Sequence, residues 1–242
     1  MQTSYSVTFT VAYPECDVNN RMRISNIMRH VQQMGGAHLD SLGLTYHRMA
    51  ADGVVLLLAK EGMTIHRLPV GGERIRIETT PRKPKGATLL RDCTFYAEDG
   101  SELLFVETTW VAADTTTHRI VRPSELSYDI IPSLEEKDYA VTGLRVRQTE
   151  HAPIVGERVV RFSDIDCNRH LNNAVYGDIV YDFLPVETVE KNQPKTFFMH
   201  FQHEAGLGEC LTIRVGQTPE GGYVVTGTKA SGEGCFTAMV RF

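Results

Sequence analysis

"AYPECDVNNRM" (Ala12–Met22) and "RFSDIDCNRHL" (Arg161–Leu171) are two copies of one pattern. In each, an aromatic residue leads into Asp-x-Asn-x-basic-apolar. Asp17 answers Asp166, Asn19 answers Asn168 and Arg21 answers His170, 149 positions apart. Such a repeat decides the fold, because it makes the chain one supersecondary unit written twice. A helical stretch follows each copy. Around "SNIMRHVQQMGGAHLDSLG", residues Ile24, Ile27, Val31, Met34 and His38 recur at helical spacing, with Ser25 placed as N-cap. In "NNAVYGDIVYDFLP", residues Tyr176, Ile179, Val180 and Phe183 form one stripe. Asn172 or Asn173 can cap that helix and Pro185 stops it.

Strands follow in both halves. "GGERIRIETTP" (Gly71–Pro81) answers "LGECLTIRVGQ" (Leu207–Gln217), now 136 positions apart, so the first copy carries a longer excursion after its helix. β-rich runs joined by "EDGS" and by "ASGEG" read as hairpins. The expected plan is α+β, a long helix and an antiparallel sheet in each half. A sheet with one helix on it leaves apolar surface exposed. Two similar halves can bury that surface against each other as an internal pseudo-dimer.

Composition narrows the classes of function. The chain has 242 residues, net charge −5, 42% apolar and 23% charged residues, as in an ordinary soluble protein. Mild acidity argues against a nucleic-acid partner, which needs a concentrated basic face. The N-terminal stretch does not read as a signal peptide, and no apolar run approaches about 20 residues. No membrane insertion and a cytoplasmic location are therefore expected. Cys16, Cys93, Cys167, Cys210 and Cys235 are odd in number and form no CxxC pair. Reduced thiols, no disulfide framework and no metal site are the expectation.

Asp166, Asn168 and His170 alternate, so an extended segment would place all three on one face. The segment runs into a helix N-terminus at about Asn173, where free N–H groups can meet an anion or a developing oxyanion. Histidine, carboxylate and amide beside such a terminus suit hydrolysis of an activated acyl group. The competing reading is a polar turn that caps a helix. The internal copy separates the roles. Asp and Asn recur where Arg21, always protonated, replaces the histidine, so they can be architectural in both halves. His170 is what gives the second half a base, and chemistry is expected there only.

Three stretches carry a family resemblance: "SDIDCNRHLNNAVYGDIVYDFLP", "WVAADTTTHRIVRP" and "GLTYHRMAADGVVLLLAKEGMTIHRLPVGGERIRI". They resemble the acyl-acyl-carrier-protein thioesterases of plants and bacteria, and the likeness runs in order over nearly the whole chain. The resemblance implies a double hotdog: two antiparallel sheets, each wrapped around a long central helix, forming an internal pseudo-dimer. Residues 1–130 would be an acyl-binding N-terminal domain, 131–154 a linker and 155–242 a catalytic domain. It implies hydrolysis of a fatty acyl thioester on acyl carrier protein, with no cofactor.

The motif of that family falls on Asp166, Asn168 and His170. Its Glu-Cys-Gly segment falls on Glu204, Ala205 and Gly206, so the glutamate is present and the cysteine is not. Cys210 lies five residues beyond Ala205 and cannot stand in without a register change. An Asn-His-Cys mechanism is unavailable, and water attack is expected. Glu204 would orient or deprotonate the water, and His170 would help hold it and carry a proton to the leaving thiolate. Asn168 would donate to the carbonyl or fix the His170 tautomer, and Asp166 would orient its neighbours. Amides near Asn173 and Ala174 would polarise the thioester. Direct attack by Glu204 or Asp166 is the less favoured version. By the same analogy the acyl chain lies along Met28, Val31, Met34 and Leu56 to Leu58. Arg74, Arg76, Arg82, Lys83 and Lys85 would dock the acidic carrier protein, although such a run also serves to guard a sheet edge. An acyl-CoA thioesterase and a non-catalytic acyl-binding protein remain as alternatives. The chain can be a monomer, with a homodimer left open.

Overall fold

A computed structural model describes residues 3–126, 140–146 and 152–242. The first half runs β1 (Tyr5–Thr10), α1 (Ile24–Ser41), α2 (Tyr46–Ala51), β2 (Val54–Ile65), β3 (Arg74–Lys85), β4 (Thr88–Ala97), β5 (Glu102–Asp114) and β6 (Ile120–Val121). The second runs β7 (Ile154–Val159), α3 (Asn173–Asp182), α4 (Val186–Lys191), β8 (Thr196–Phe201), β9 (Cys210–Gln217), β10 (Tyr223–Lys229) and β11 (Gly234–Arg241). The main sheet order is β1-β3-β4-β5-β2-β8-β11-β10-β9-β7, with β6 added to β5. Read from the middle outward, the two halves are the same list of strands. The duplication seen in the sequence is therefore a duplication of topology.

The two separate sheets expected are in fact one. β2 and β8 pair antiparallel, residues 60–64 against 196–200, and fuse the halves edge to edge. Each of these strands would otherwise end its half with a row of unpaired backbone groups, and pairing them removes both edges. On the helical face α1 crosses α3. Gly177 permits the approach: a Cβ there would lie 3.3 Å from the backbone of Ser25. Ser25 is buried in that crossing instead of capping α1, whose N-cap is Arg23 without a side-chain bond. α3 is also shorter than expected, ten residues against eighteen in α1.

The apolar stripes read from the sequence face inward. Ile27, Met28, Val31 and Met34 of α1 and Tyr176, Ile179 and Val180 of α3 share one core with Met63, Phe95, Phe197 and Phe236 from the sheet. The excursion of the first copy is the longer α1 and the longer β2, eighteen and twelve residues against ten in α3 and six in β8, while α2 and α4 hold the same place in the two halves. Both hairpins form, with Gly100 and Gly232 at positive φ in the turns. β1 covers residues 74–79 of β3, so from Thr80 to Lys85 that strand is bordered, among the described residues, only by β4.

Of the linker expected over 131–154, residues 131–139 and 147–151 lie outside the described residues, and Ile154 already opens β7. Residues 140–146 run along the sheet. The carboxylate of Glu107 accepts the N–H groups of Ala140 (2.9 Å), Val141 (3.0 Å) and Thr142 (2.8 Å). Val141 packs on Phe198, Val224 and Met239, and Lys60 donates to the Thr142 carbonyl at 3.2 Å. This strap crosses the β2–β8 seam. Gly62 makes room for it, because a Cβ there would sit 2.8 Å from Val141.

Candidate active site

The 162–164 stretch is a 3-10 turn, and the motif that follows folds back on itself. Ile165 bridges Leu171, the Asp166 N–H donates to the His170 carbonyl at 3.0 Å, and the Arg169 N–H to the Asp166 carbonyl at 3.0 Å. Arg169 has φ 67°, and its counterpart Asn20 has φ 60°. This corrects the expectation of an extended segment. A left-handed residue closes a loop, so the alternation of an extended strand does not place Asp166, Asn168 and His170.

Each side chain has its own partner. Asp166 Oδ1 accepts the Asn168 backbone N–H at 2.8 Å, as Asp17 accepts that of Asn19 at 2.9 Å. The aspartate thus shapes the loop in both copies. Asn168 Oδ1 accepts the hydroxyl of Tyr46, on α2 of the first half, at 2.8 Å. His170 forms a backbone bridge with Gly206, and the Leu171 N–H donates to the Ala205 carbonyl at 2.8 Å. That pairing brings Glu204 alongside, with its Oε2 3.1 Å from His170 Nδ1. The side chains are 42% and 57% exposed, so solvent reaches the pair.

At the matching place in the first half Arg21 bridges Val70 and is tied down. It pairs with Asp17 at 3.0 Å and donates to the carbonyls of Val189 and Asn192, at the end of α4, at 3.0 Å each. A cation on the last carbonyls of a helix complements its dipole. One loop geometry therefore carries a packing residue in one half and a titratable side chain in the other.

Asn172 caps α3 by accepting the Ala174 N–H at 2.9 Å, so the Ala174 amide expected to polarise substrate is already engaged. The Asn173 N–H has no partner among the described residues. Cys210 lies 3.7 Å from the Glu157 carboxylate, and desolvation together with that charge raises its thiol above the ordinary value. Cys235 is buried, donates to the His203 carbonyl at 3.0 Å, and is also raised by burial. Neither is set up as a thiolate nucleophile. Cys167 is exposed in the loop. Among the described residues no cluster of three His, Cys, Asp or Glu side chains could hold a metal.

The expected acyl-chain residues Met28, Val31 and Met34 are core residues between α1 and the sheet, and Leu58 is buried on β2. In the basic run, Arg74 lies 3.9 Å from Glu98, Arg76 pairs with Glu78 at 2.6 Å and stacks over Tyr96, and Arg82 pairs with Asp92. Lys83 and Lys85 are exposed at the strand's end. Sequence reasoning passed over two residues. Tyr46 opens α2, between the longer α1 and β2 of the first copy. Glu61 shares the parity of Met63 and Ile65 on β2, which places an acid on the core face. It is fully buried, neither oxygen has a partner among the described residues, and burial pushes its carboxyl up to about 8.

Solved structures share this architecture. An acyl-ACP thioesterase from Bacteroides thetaiotaomicron superposes with TM-score 0.85 at 18% identity, covering 98% of this chain and 97% of that one. The 12:0-ACP thioesterase from Umbellularia californica gives 0.87 at 18% identity, covering 100% and 97%. These likenesses define the class as a hotdog-type fold. The acyl-ACP thioesterase N-terminal domain matches residues 2–131 and the acyl-ACP thioesterase C-terminal domain matches residues 148–236. The chain belongs to the acyl-ACP thioesterase family. A chloroplastic palmitoyl-acyl carrier protein thioesterase from Cuphea hookeriana is 22% identical over 88% of this chain and 55% of its own length. A dodecanoyl-[acyl-carrier-protein] hydrolase from Umbellularia californica is 23% identical over 90% and 61%. The chain spans a little over half the length of the curated relatives it matches. Among the described residues no helix is long and apolar enough to cross a membrane.

Proposed function

We propose that this chain hydrolyses fatty acyl thioesters of acyl carrier protein to free fatty acid, with water as nucleophile and without cofactor or metal. The observation that carries the reading is Glu204 set 3.1 Å from His170 Nδ1 on the lip of α3. A carboxylate there holds the proton on Nδ1 and leaves Nε2 as the base. Nε2 takes a proton from water as its oxygen attacks the thioester carbon. The oxyanion meets the Asn168 amide and the Asn173 N–H, and α3 adds the positive end of its dipole. Collapse breaks the C–S bond, and the imidazolium returns its proton to the departing thiolate. Glu204 is thus an orienting group for His170, and Asp166 shapes the loop. Membership of the family and the names of the relatives favour carrier protein over coenzyme A. The double-hotdog reading assigns acyl binding to the first half, along Met28, Val31 and Met34, and chemistry to the second. The five free thiols suit a reducing, cytoplasm-like compartment.

Thiol release from a panel of acyl-carrier-protein thioesters, beside the same acyl groups on coenzyme A, tests this. Faster turnover of the carrier-protein substrates is expected, and no turnover of either would leave an acyl-binding protein. A variant with Cys167, Cys210 and Cys235 replaced by serine should keep kcat within about threefold, since no thiol takes part. A loss beyond about a hundredfold in properly folded variant protein would restore a cysteine mechanism. For docking, Lys83→Glu with Lys85→Glu should raise KM for the carrier-protein substrate several-fold at low salt and leave the coenzyme A substrate unchanged. Equal KM values for wild type and variant would exclude that patch.

A further inference from the structure

We propose that Tyr46 is a positioning residue for this site: its hydroxyl, carried by the first half, turns the Asn168 amide toward the substrate carbonyl. The inference rests on the thioesterase reading above. The phenol donates to Asn168 Oδ1 at 2.8 Å across a sequence separation of 122 residues. The backbone N–H of Asn168 is already tied to Asp166, so rotation of the terminal amide is the freedom left. A donor on Oδ1 fixes that rotation. It also leaves both Nδ2 hydrogens without a partner among the described residues, on an exposed side chain beside His170.

The first copy shows the alternative. Asn19, in the same loop geometry, donates its Nδ2 to the Glu190 carbonyl of α4 at 3.1 Å. There the donor end is consumed by packing. In the second copy the acceptor end is consumed and the donor end is kept. What makes the difference is the short helix that meets each loop: α4 offers Asn19 a backbone carbonyl, and α2 offers Asn168 a side-chain hydroxyl. α2 is fastened down: Thr45 caps it through the Arg48 N–H, Arg48 donates to the Gly43 carbonyl at 3.0 Å, and Met49 is buried against Leu44. An oxyanion is stabilised by donors that need no reorganisation during the reaction. A freely turning amide would present its oxygen to the developing charge part of the time.

The test is a double-mutant cycle in steady-state thiol release from acyl-carrier-protein thioesters, with His170→Ala run alongside. Tyr46→Phe is expected to lower kcat about tenfold with KM within about twofold, and Asn168→Ala about a hundredfold. In the Asn168→Ala background, Tyr46→Phe should cost nothing further. The thermal midpoint of Tyr46→Phe should stay at the wild-type value, because the ring is largely exposed. No turnover by the wild type would remove the thioesterase reading itself, and normal turnover by His170→Ala would move the chemistry away from this site. An inactive His170→Ala beside a Tyr46→Phe with wild-type kcat would overturn this inference alone. So would a Tyr46→Phe loss that is the same with and without Asn168.

Discussion

Alanine at His170 is expected to lower kcat by about three orders of magnitude and leave KM within a few-fold, because a positioned general base is lost while binding surface is kept. Glutamine at Glu204 keeps the shape but removes the charge that selects the Nδ1 tautomer. Its loss should be smaller, on the order of a hundredfold, since the pair is half exposed and water can take part of the role. The double variant should be no worse than His170→Ala alone, because two groups that act as one unit are not additive. Steady-state thiol release measures all three. Turnover near wild type in both single variants would place the chemistry elsewhere.

The second large effect concerns Glu61. Its carboxyl lies well above the ordinary 4.5, at about 8, because burial disfavours the charged form and no partner among the described residues answers it. Between those values the folded chain holds a proton that the unfolded chain releases. Stability is therefore fully present below the unfolded value and is lost as pH rises toward the folded one. At about 1.4 kcal/mol per pH unit, the loss from roughly pH 5 to pH 8 is on the order of 4 kcal/mol. Glu61→Gln removes the titrating group and keeps its outline. Urea midpoints at the two pH values should separate the proteins, with the wild type falling more steeply. Parallel profiles would mean that Glu61 finds water or a partner.

Much of this was legible in the residues, for reasons that are local. The stripe Ile24, Ile27, Val31, Met34 and His38 is a helix facing a core whatever surrounds it, and all five are buried. The two loops matched because the same Asp bond and the same left-handed turn recur, and Arg21 against His170 marked the half with a base. What failed depended on contacts between distant segments. Ser25 has a good capping side chain, yet the crossing of α3 buried it. The extended reading of Asp166, Asn168 and His170 failed because φ at Arg169 follows from how the loop closes, not from alternation. The β2–β8 pairing joins segments about 136 residues apart, and no pattern within either strand announces its partner. Tyr46 was hidden for the same reason, since its partner is in the other half.

The sheet that runs unbroken through the β2–β8 seam has a consequence for inheritance. In a symmetric dimer built from one gene, every substitution is made twice, so a position needed for chemistry in one subunit is frozen in both. Here the equivalent positions are encoded separately. Arg21 could be given to the end of α4 without costing the other loop its histidine. The joined chain keeps the architecture of a pair while each half answers to its own mutations, and specialisation of one half becomes open to selection.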